Sequence, residues 1–375
     1  METKPVYLDY AANTPADPRV LAAYLAAEGA CLGNPNANHA AGRQAREQLA
    51  HAAERIAAAL GAAPGEVRFT SGATEANNTA LLGLAHTGRG RHILTTPLEH
   101  ASVAEPLEAL RREGYTVEEV ALTPAGAVDL EDLRARLRPD TVLAAVTAVD
   151  SELGTLQPLG AISAVLRDFP DCRFHVDATQ LVGKLPFSFR GMDTASFAPH
   201  KFYGLNGCGI LLQRRSLTLP PLILGGAGEN PARGGTPAAA LAVAAAEALD
   251  LALAGLEDRT RTVRALEQRL RTFFAAFPRV RLNSPPGGSP YILNLSVQGV
   301  RGETFQQALD REGICVSVRS ACARSGAPSR GVLALTGDRR TALSSWRISL
   351  SHLTTPEELD RFEAAFRRCY DAFGG

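Results

Sequence analysis

Between residues 66 and 214, short runs dense in β-branched and apolar residues alternate with longer Ala-rich stretches. The runs "EVRFTS" (66–71), "HILTT" (92–96), "YTVEEV" (115–120), "TVLAAVTAV" (141–149), "CRFHVDA" (172–178), "DTASFA" (193–198) and "GILLQR" (209–214) predict strands. Residues 39–60, 75–86, 101–113, 129–137 and 159–168 predict the helices between them. This alternation predicts an α/β fold, a mostly parallel seven-stranded sheet with helices on both faces. In such sheets ligands bind beyond the carboxyl ends of the strands. After a long helix at 237–255 the pattern changes. A helix at 257–276, the turn-rich "NSPPGGSP" (283–290), "YILNLSV", a helix at 303–312, "ICVSV", a loop and "SWRISL" predict a smaller α+β part beginning near residue 257.

Composition narrows the class. At 375 residues, 45% hydrophobic and 21% charged, the chain has enough apolar material for a sizeable core. Lys plus Arg equals Asp plus Glu, 39 each, which argues against a general affinity for nucleic acid or an anionic membrane. The stretch "AAALAVAAAEALDLALAG" (238–255) comes nearest to a membrane span, but Glu247 and Asp250 make it a buried helix. "METKPVYLDYAANTP" shows no basic region followed by an apolar one, so no leader is expected. The six cysteines, at 31, 172, 208, 315, 322 and 369, are scattered, which suits a reducing cytoplasm better than disulfides or structural zinc.

The positive charge is written as 36 arginines and three lysines: Lys4, Lys184 and Lys201. Lys201 lies in "SFAPHKFYG" (196–204), after an apolar run and before a glycine-containing turn. An amine forms a Schiff base with an aldehyde, which a guanidinium does not do readily. A solvated surface lysine is the plain alternative, and the scarcity of lysine weighs against it. Three other strand ends carry candidates. "FTSGATEANN" (69–78) enters a helix with Thr74 at its start, a small anion site of backbone N–H groups with the Ser71 and Thr74 hydroxyls, or simply a cap. "FHVDATQ" (174–180) ends a strand at Asp177, followed by Gln180; the carboxylate could meet a cationic ring nitrogen or a metal, or cap a helix. "LEHASV" (98–103) offers His100 as base, stacking surface or structural residue. A lysine, an acid and a phosphate cup together are what pyridoxal phosphate requires. No G-x-G-x-x-G follows a strand and no P-loop occurs, so nucleotide readings rank low.

The motifs "YLDYAANTP", "GNPNANHAAGRQA", "FTSGATEANN", "EH", "ELGTLQP", "VDATQ", "HKFYG", "GGAGENPARGGT", "SACARSG" and "WRISLS" run in order over almost the whole chain. In this the chain resembles the fold-type I, class V pyridoxal-phosphate enzymes, specifically the cysteine desulfurases that supply sulfur for iron–sulfur clusters. The resemblance implies that Lys201 bonds the cofactor aldehyde, that His100 stacks on the ring and takes part in catalysis, and that Asp177 pairs with the ring nitrogen. It implies that Gln180 reaches the phenolic oxygen. Ala73, Thr74 and His200 would hold the phosphate, with Thr236 reaching it from a partner subunit. Arg347 would bind the substrate carboxylate, and Cys322 would accept the sulfur. Arg319 and Arg324 flank that cysteine, and nearby cations lower a thiol's pKa.

The implied protein is a cytoplasmic homodimer that converts L-cysteine to L-alanine and passes its persulfide sulfur to an acceptor such as an iron–sulfur scaffold. No metal, no nucleic acid and no membrane are implied. The implied division is a large cofactor-binding part, 15–256, and a small part made of 1–14 and 257–375. The chain departs from the family's usual pattern at three places: Ala198-Pro199 where a serine usually precedes the histidine by two, Asp150-Ser151 for Asn-Asn, and Arg319 for glycine. Ser151 thus takes the place beside the ring. Two alternatives follow, a selenocysteine lyase or other class V lyase or aminotransferase, and a catalytically reduced homologue acting as a binding partner.

Overall fold

The computed structural model describes residues 4–30, 32–226, 233–319 and 326–374. All seven expected strands form and share one sheet. From edge to edge they run Val67–Thr70, Gly209–Gln213, Thr194–Phe197, Arg173–Asp177, Thr141–Thr147, His92–Thr95 and Thr116–Glu119. Only Gly209–Gln213 opposes its neighbours, and the other pairings are parallel. Successive strand residues face opposite sides. Leu94, Ala144, Val146, Phe174 and Val176 join the main core with Ile56 of helix Ala40–Leu60. Ile93, Leu143, Ala145 and Leu211 pack on the other face against Ala76 and Leu84 of helix Ala73–Thr87 and Leu107 of helix Ala101–Arg112. Both faces are covered, which is why these strands read as near-continuous apolar runs.

Helix Ala239–Ala254 packs against Pro18–Ala30 and Ala40–Leu60. Its alanines let the helices approach closely, and the two acids that interrupt its apolar run meet Arg55, Glu247 at 2.9 Å and Asp250 at 2.6 Å. Among the described residues, no single helix is long and apolar enough to cross a membrane.

The C-terminal part holds a three-stranded antiparallel sheet of Val280–Leu282, Ile292–Val297 and Ser345–Ser349. Helices Leu256–Phe274 and Pro356–Ala372 bring an aromatic cluster onto it. Phe366 lies 5.1 Å from Phe274, 5.0 Å from Phe277 and 5.3 Å from Phe305, ring centre to ring centre. The run "ICVSV" yields only the two-residue strand Ile314–Cys315, parallel to Val6–Tyr7. The chain then bends so that Ser317 bridges Arg347. Pro18–Ala30, Arg330–Thr336, Arg339–Ser344 and Pro356–Ala372 are helices that the pattern did not announce. The first of these buries only Val20 and Ala27, so it carries no apolar stripe of helical period.

Gly209 joins this frame to the carboxyl edge of the sheet. It pairs with Thr70, and a β-carbon on it would stand 2.2 Å from the Gly72 backbone carbon. The turn after Val67–Thr70 therefore lies against a strand with no side chain in the way. Gly209→Ala should lower the denaturant midpoint by the equivalent of about 1–3 kcal/mol, the usual cost of overpacking. Gly160→Ala, where a β-carbon meets nothing, should leave it equal or higher. An unchanged Gly209→Ala would mean that the turn yields without strain.

Candidate active site

Five strand ends and two segments from the chain termini enclose a cavity of ≈ 300 Å³. Its wall includes Ala73, Thr74, His100, Ser151, Asp177, Gln180, His200, Lys201 and Arg347. Nine of the residues singled out from the sequence thus face one space. Thr236 lies elsewhere, on a neighbouring cavity of ≈ 470 Å³, where Asn34 Nδ2 donates to its hydroxyl at 3.4 Å. Ser71 lines that second cavity too, so the turn's two hydroxyls part company at Gly72. Ala198 is fully buried and is not part of the first cavity's wall among the described residues. Cys322 lies outside the described residues.

Lys201 follows Thr194–Phe197 on a short 3₁₀ turn, Pro199–Lys201. Its Nζ donates to the carbonyls of Ala11 at 2.9 Å and Ala12 at 2.7 Å. The same N-terminal segment clamps the turn, with the Thr14 hydroxyl donating to His200 O at 2.8 Å and accepting from Tyr203 N at 2.7 Å. Tyr203 is the only non-glycine residue with positive φ among the described residues, at 70°, and its hydroxyl meets Ser351 Oγ at 2.6 Å.

Asp177 ends its strand with both oxygens engaged, Oδ1 by Thr179 N at 3.0 Å and Oδ2 by Asn77 Nδ2 at 2.9 Å. Asn77 Nδ2 also donates to Ser102 Oγ at 2.8 Å. With its nitrogen so placed, Oδ1 accepts from Ser196 Oγ and from His175 Nε2, the latter at 2.9 Å. His175 therefore carries its proton on Nε2, and Nδ1 accepts from Thr194 Oγ1 at 2.9 Å. Burial lowers its pKa to about 4, so it stays neutral. Across the cavity, the Ser102 backbone N–H donates to His100 Nδ1 at 3.1 Å. His100 thus keeps a lone pair on Nδ1 and, when neutral, a proton on Nε2. Burial lowers its pKa against the pull of Asp177, and Lys201 adds to the lowering. His200 is lowered to about 4, by burial and then by Lys201 and Lys184.

Arg347, 2% exposed, reaches in from Ser345–Ser349. It donates to Asp9 Oδ1 at 2.7 Å and to the Ser151 carbonyl at 2.6 Å, and its buried Nε has no partner among the described residues. Asp9 is held in turn by the Ser317 hydroxyl at 2.7 Å. At the start of helix Ala73–Thr87, Gly72 is the cap and offers no side-chain bond, so the first N–H groups stand open beside Ala73 and Thr74. A β-carbon on Gly72 would project into empty space.

Asp9, Asn77, Ser102 and His175 were not singled out from the sequence. One signal was there to read: His175 lies two residues before Asp177, and the period of a strand puts both on one face. Asn77 and Ser102 gave none, because their partners are 100 and 25 residues away.

The family model for class-V aminotransferases matches residues 6–362. A cysteine desulfurase IscS of Photorhabdus laumondii subsp. laumondii is 39% identical over 368 residues, 95% of this chain and 90% of that protein. Among solved structures, a NifS-like protein superposes with a TM-score of 0.90 at 33% identity, covering 98% of this chain and 99% of that one. A structure described as SspA in complex with cysteine gives 0.81 at 29% identity, covering 94% and 100%.

Two acids stand behind His100. Glu99 is buried, accepting from Thr96 Oγ1 at 2.7 Å and Thr147 N at 2.9 Å through Oε1, while Oε2 has no partner among the described residues. Burial raises its pKa to about 8, and burial with the charge of Glu152 raises that of Asp150 to about 7. Between its ordinary value and its raised one, the folded state holds a proton that the unfolded state has lost. Stability therefore falls as pH rises through this window, by up to about 1.4 kcal/mol per pH unit for each group. Glu99→Gln should therefore gain in thermal midpoint relative to the parent as pH rises from 5 to 8, because it lacks this loss while the histidines and Lys184, whose lowered pKa values act in the opposite direction, contribute alike to both proteins. A variant with the same pH slope as the parent would show that Glu99 is ionised throughout.

Proposed function

The chain belongs to the class-V aminotransferase family, and from that premise we propose that it is a pyridoxal-phosphate-dependent cysteine desulfurase that releases L-alanine and takes the sulfur onto Cys322. The observation that carries this reading is one cavity that gathers the amine of Lys201, the carboxylate of Asp177 and the guanidinium of Arg347. The chain has the fold-type I architecture of the NifS-like proteins.

The residues fit pyridoxal phosphate. The open helix start at Gly72, with Ala73, Thr74 and His200, makes a cup for the phosphate. Thr236 faces outward onto the second cavity, which suits a residue that serves the partner's site in a homodimer. Asp177 offers a carboxylate to the ring nitrogen, Gln180 and Ser151 stand for the phenolic edge, His100 for the ring face, and Lys201 for the aldehyde. When bound, the cofactor supplies an aldehyde that captures an amine and a ring that draws electrons from the substrate's α-carbon.

The chain's own groups do the rest. The Ala11 and Ala12 carbonyls keep the Lys201 amine at the cavity. Arg347 takes the substrate carboxylate, oriented by Asp9 and the Ser151 carbonyl. Neutral His100, with its proton on Nε2, moves protons within the site. The Cys322 thiolate attacks the sulfur of bound cysteine; an S–S bond forms, the substrate's C–S bond breaks, and protons from the site complete alanine. A sulfur-acceptor protein, such as an iron–sulfur scaffold, then receives the outer sulfur. The reading places the protein in the cytoplasm, with residues 15–256 as the large part and 1–14 with 257–375 as the small one.

The central test is the absorbance of the purified protein with and without L-cysteine, followed by assay for alanine and sulfide. Lys201→Arg should abolish both the visible band and turnover although it keeps the charge; a yellow, active variant would move the aldehyde-bonding amine to Lys184.

Cys322→Ser should keep the cofactor and its spectral response to cysteine, yet accumulate no persulfide. Undiminished alanine formation in that variant would move the reaction to a lyase that works without the thiol. Loss of the cofactor would make Cys322 structural.

A further inference from the structure

Two of the chain's three lysines, Lys184 and Lys201, meet at this site, and the mechanism uses only Lys201. Lys184 follows Gln180 by one turn and is 5% exposed. Its Nζ donates to Gln180 Oε1 at 2.7 Å and lies 6.0 Å from the centre of the Tyr291 ring. Burial, and then the nearby cations Lys201 and Arg347, hold its pKa well below the ordinary value. A lysine in such a place gives up its proton rather than stay charged.

The Gln180 amide is oriented by elementary chemistry. Its Nε2 donates to the Ala11 carbonyl at 2.8 Å, and a carbonyl only accepts. The amide nitrogen therefore faces Ala11 and the cavity, and the amide oxygen faces Lys184. An amine donates to that oxygen whether charged or neutral. A methionine would leave the oxygen buried without a donor, and an arginine would bring a second permanent cation to the site beside Arg347.

We propose that Lys184 is a positioning residue: its amine holds the Gln180 amide so that the second Gln180 N–H points into the cofactor cavity. This rests on the reading that Gln180 contacts the bound cofactor. It also explains a lysine where the chain elsewhere writes arginine, because an amine, unlike a guanidinium, can donate while uncharged.

The test is a titration of the cofactor-free protein with pyridoxal 5′-phosphate, following the visible band and its maximum. The parent is compared with Lys184→Met, Gln180→Leu and the double variant. Gln180→Leu and Lys184→Met should each weaken binding about two- to tenfold, the range of one neutral hydrogen bond, and shift the band maximum in the same direction. The double variant should bind no worse than Gln180→Leu alone, because Lys184 acts through that side chain. Losses that multiply in the double variant would overturn the proposal and make Lys184 a general structural residue. Parent-like binding by Lys184→Met, with Gln180→Leu impaired, would overturn it while leaving the role of Gln180 intact. Parent-like binding by Gln180→Leu would instead remove Gln180 from the cofactor and the proposal with it. Should Lys184→Met not fold, Lys184→Gln, which keeps an N–H donor, serves in its place. Its affinity should lie between those of the parent and Gln180→Leu, and an affinity below Gln180→Leu would overturn the proposal.

Discussion

The site depends on the strap formed by residues 9–14. Its Ala11 and Ala12 carbonyls hold Lys201, and the Ala11 carbonyl also takes the Gln180 amide. Asp9 pairs with Arg347, and Thr14 ties down the turn that carries Lys201. Four residues near one end of the chain thus fix groups that are 169 to 338 positions away. The strap itself is placed by Val6–Tyr7 pairing with Ile314–Cys315, and by Leu8 O accepting from Ser349 N at 2.8 Å. Backbone carbonyls suit this task, because they offer an ammonium group dipoles without a full negative charge that would trap it. The Asp9–Arg347 pair is of the other kind. A buried guanidinium cannot be neutralised by losing a proton, so an aspartate must accompany it.

That distinction runs through the whole cavity. Burial penalises every charge, and several titratable groups in and around the cavity resolve the penalty in one of two ways. Arg347 is paired, while His100, His200 and Lys184 are drawn towards their neutral forms. On the acidic side, burial pushes Glu99 and Asp150 towards theirs. The result is a site in which a lysine and an arginine are not alternatives. Where a cation persists, the chain has Arg347; where burial and neighbouring cations disfavour the charged form, it has the amine of Lys184.

Much of this was legible in the sequence, for a physical reason. The seven strands are buried on both faces, so their apolar runs are dense, and their carboxyl ends are where the polar residues His100, Ser151, Asp177 and Lys201 interrupt them. What was not legible depends on contacts between distant segments. Nothing near Asn77 announces that its amide will be saturated by Asp177, Ser102, Ser196 and His175, since these partners come from three other, distant segments. Helix Pro18–Ala30 escaped because it leaves Leu21 and Leu25 exposed and buries little, so its sequence lacks the periodic stripe that marks a helix. The strand read into "ICVSV" was cut short by the Ser317–Arg347 bridge, a tertiary contact that overrides local β preference.

The saturated Asn77 amide shows how the fold sets protonation through hydrogen bonds that start at one carboxylate. Because Asp177 only accepts, Asn77 must present its nitrogen there, and its oxygen must then face His175 and Ser196. That single orientation fixes the His175 tautomer. On the other arm, Asn77 donates to Ser102 Oγ, whose own proton is then directed to His100 Nδ1 at 2.8 Å. The Ser102 backbone N–H asks the same of that nitrogen. Two independent donors therefore place the His100 proton on Nε2. Reading the network from the carboxylate outward, the charge at Asp177 determines, through one amide and one hydroxyl, which nitrogen of a histidine across the cavity can give up a proton.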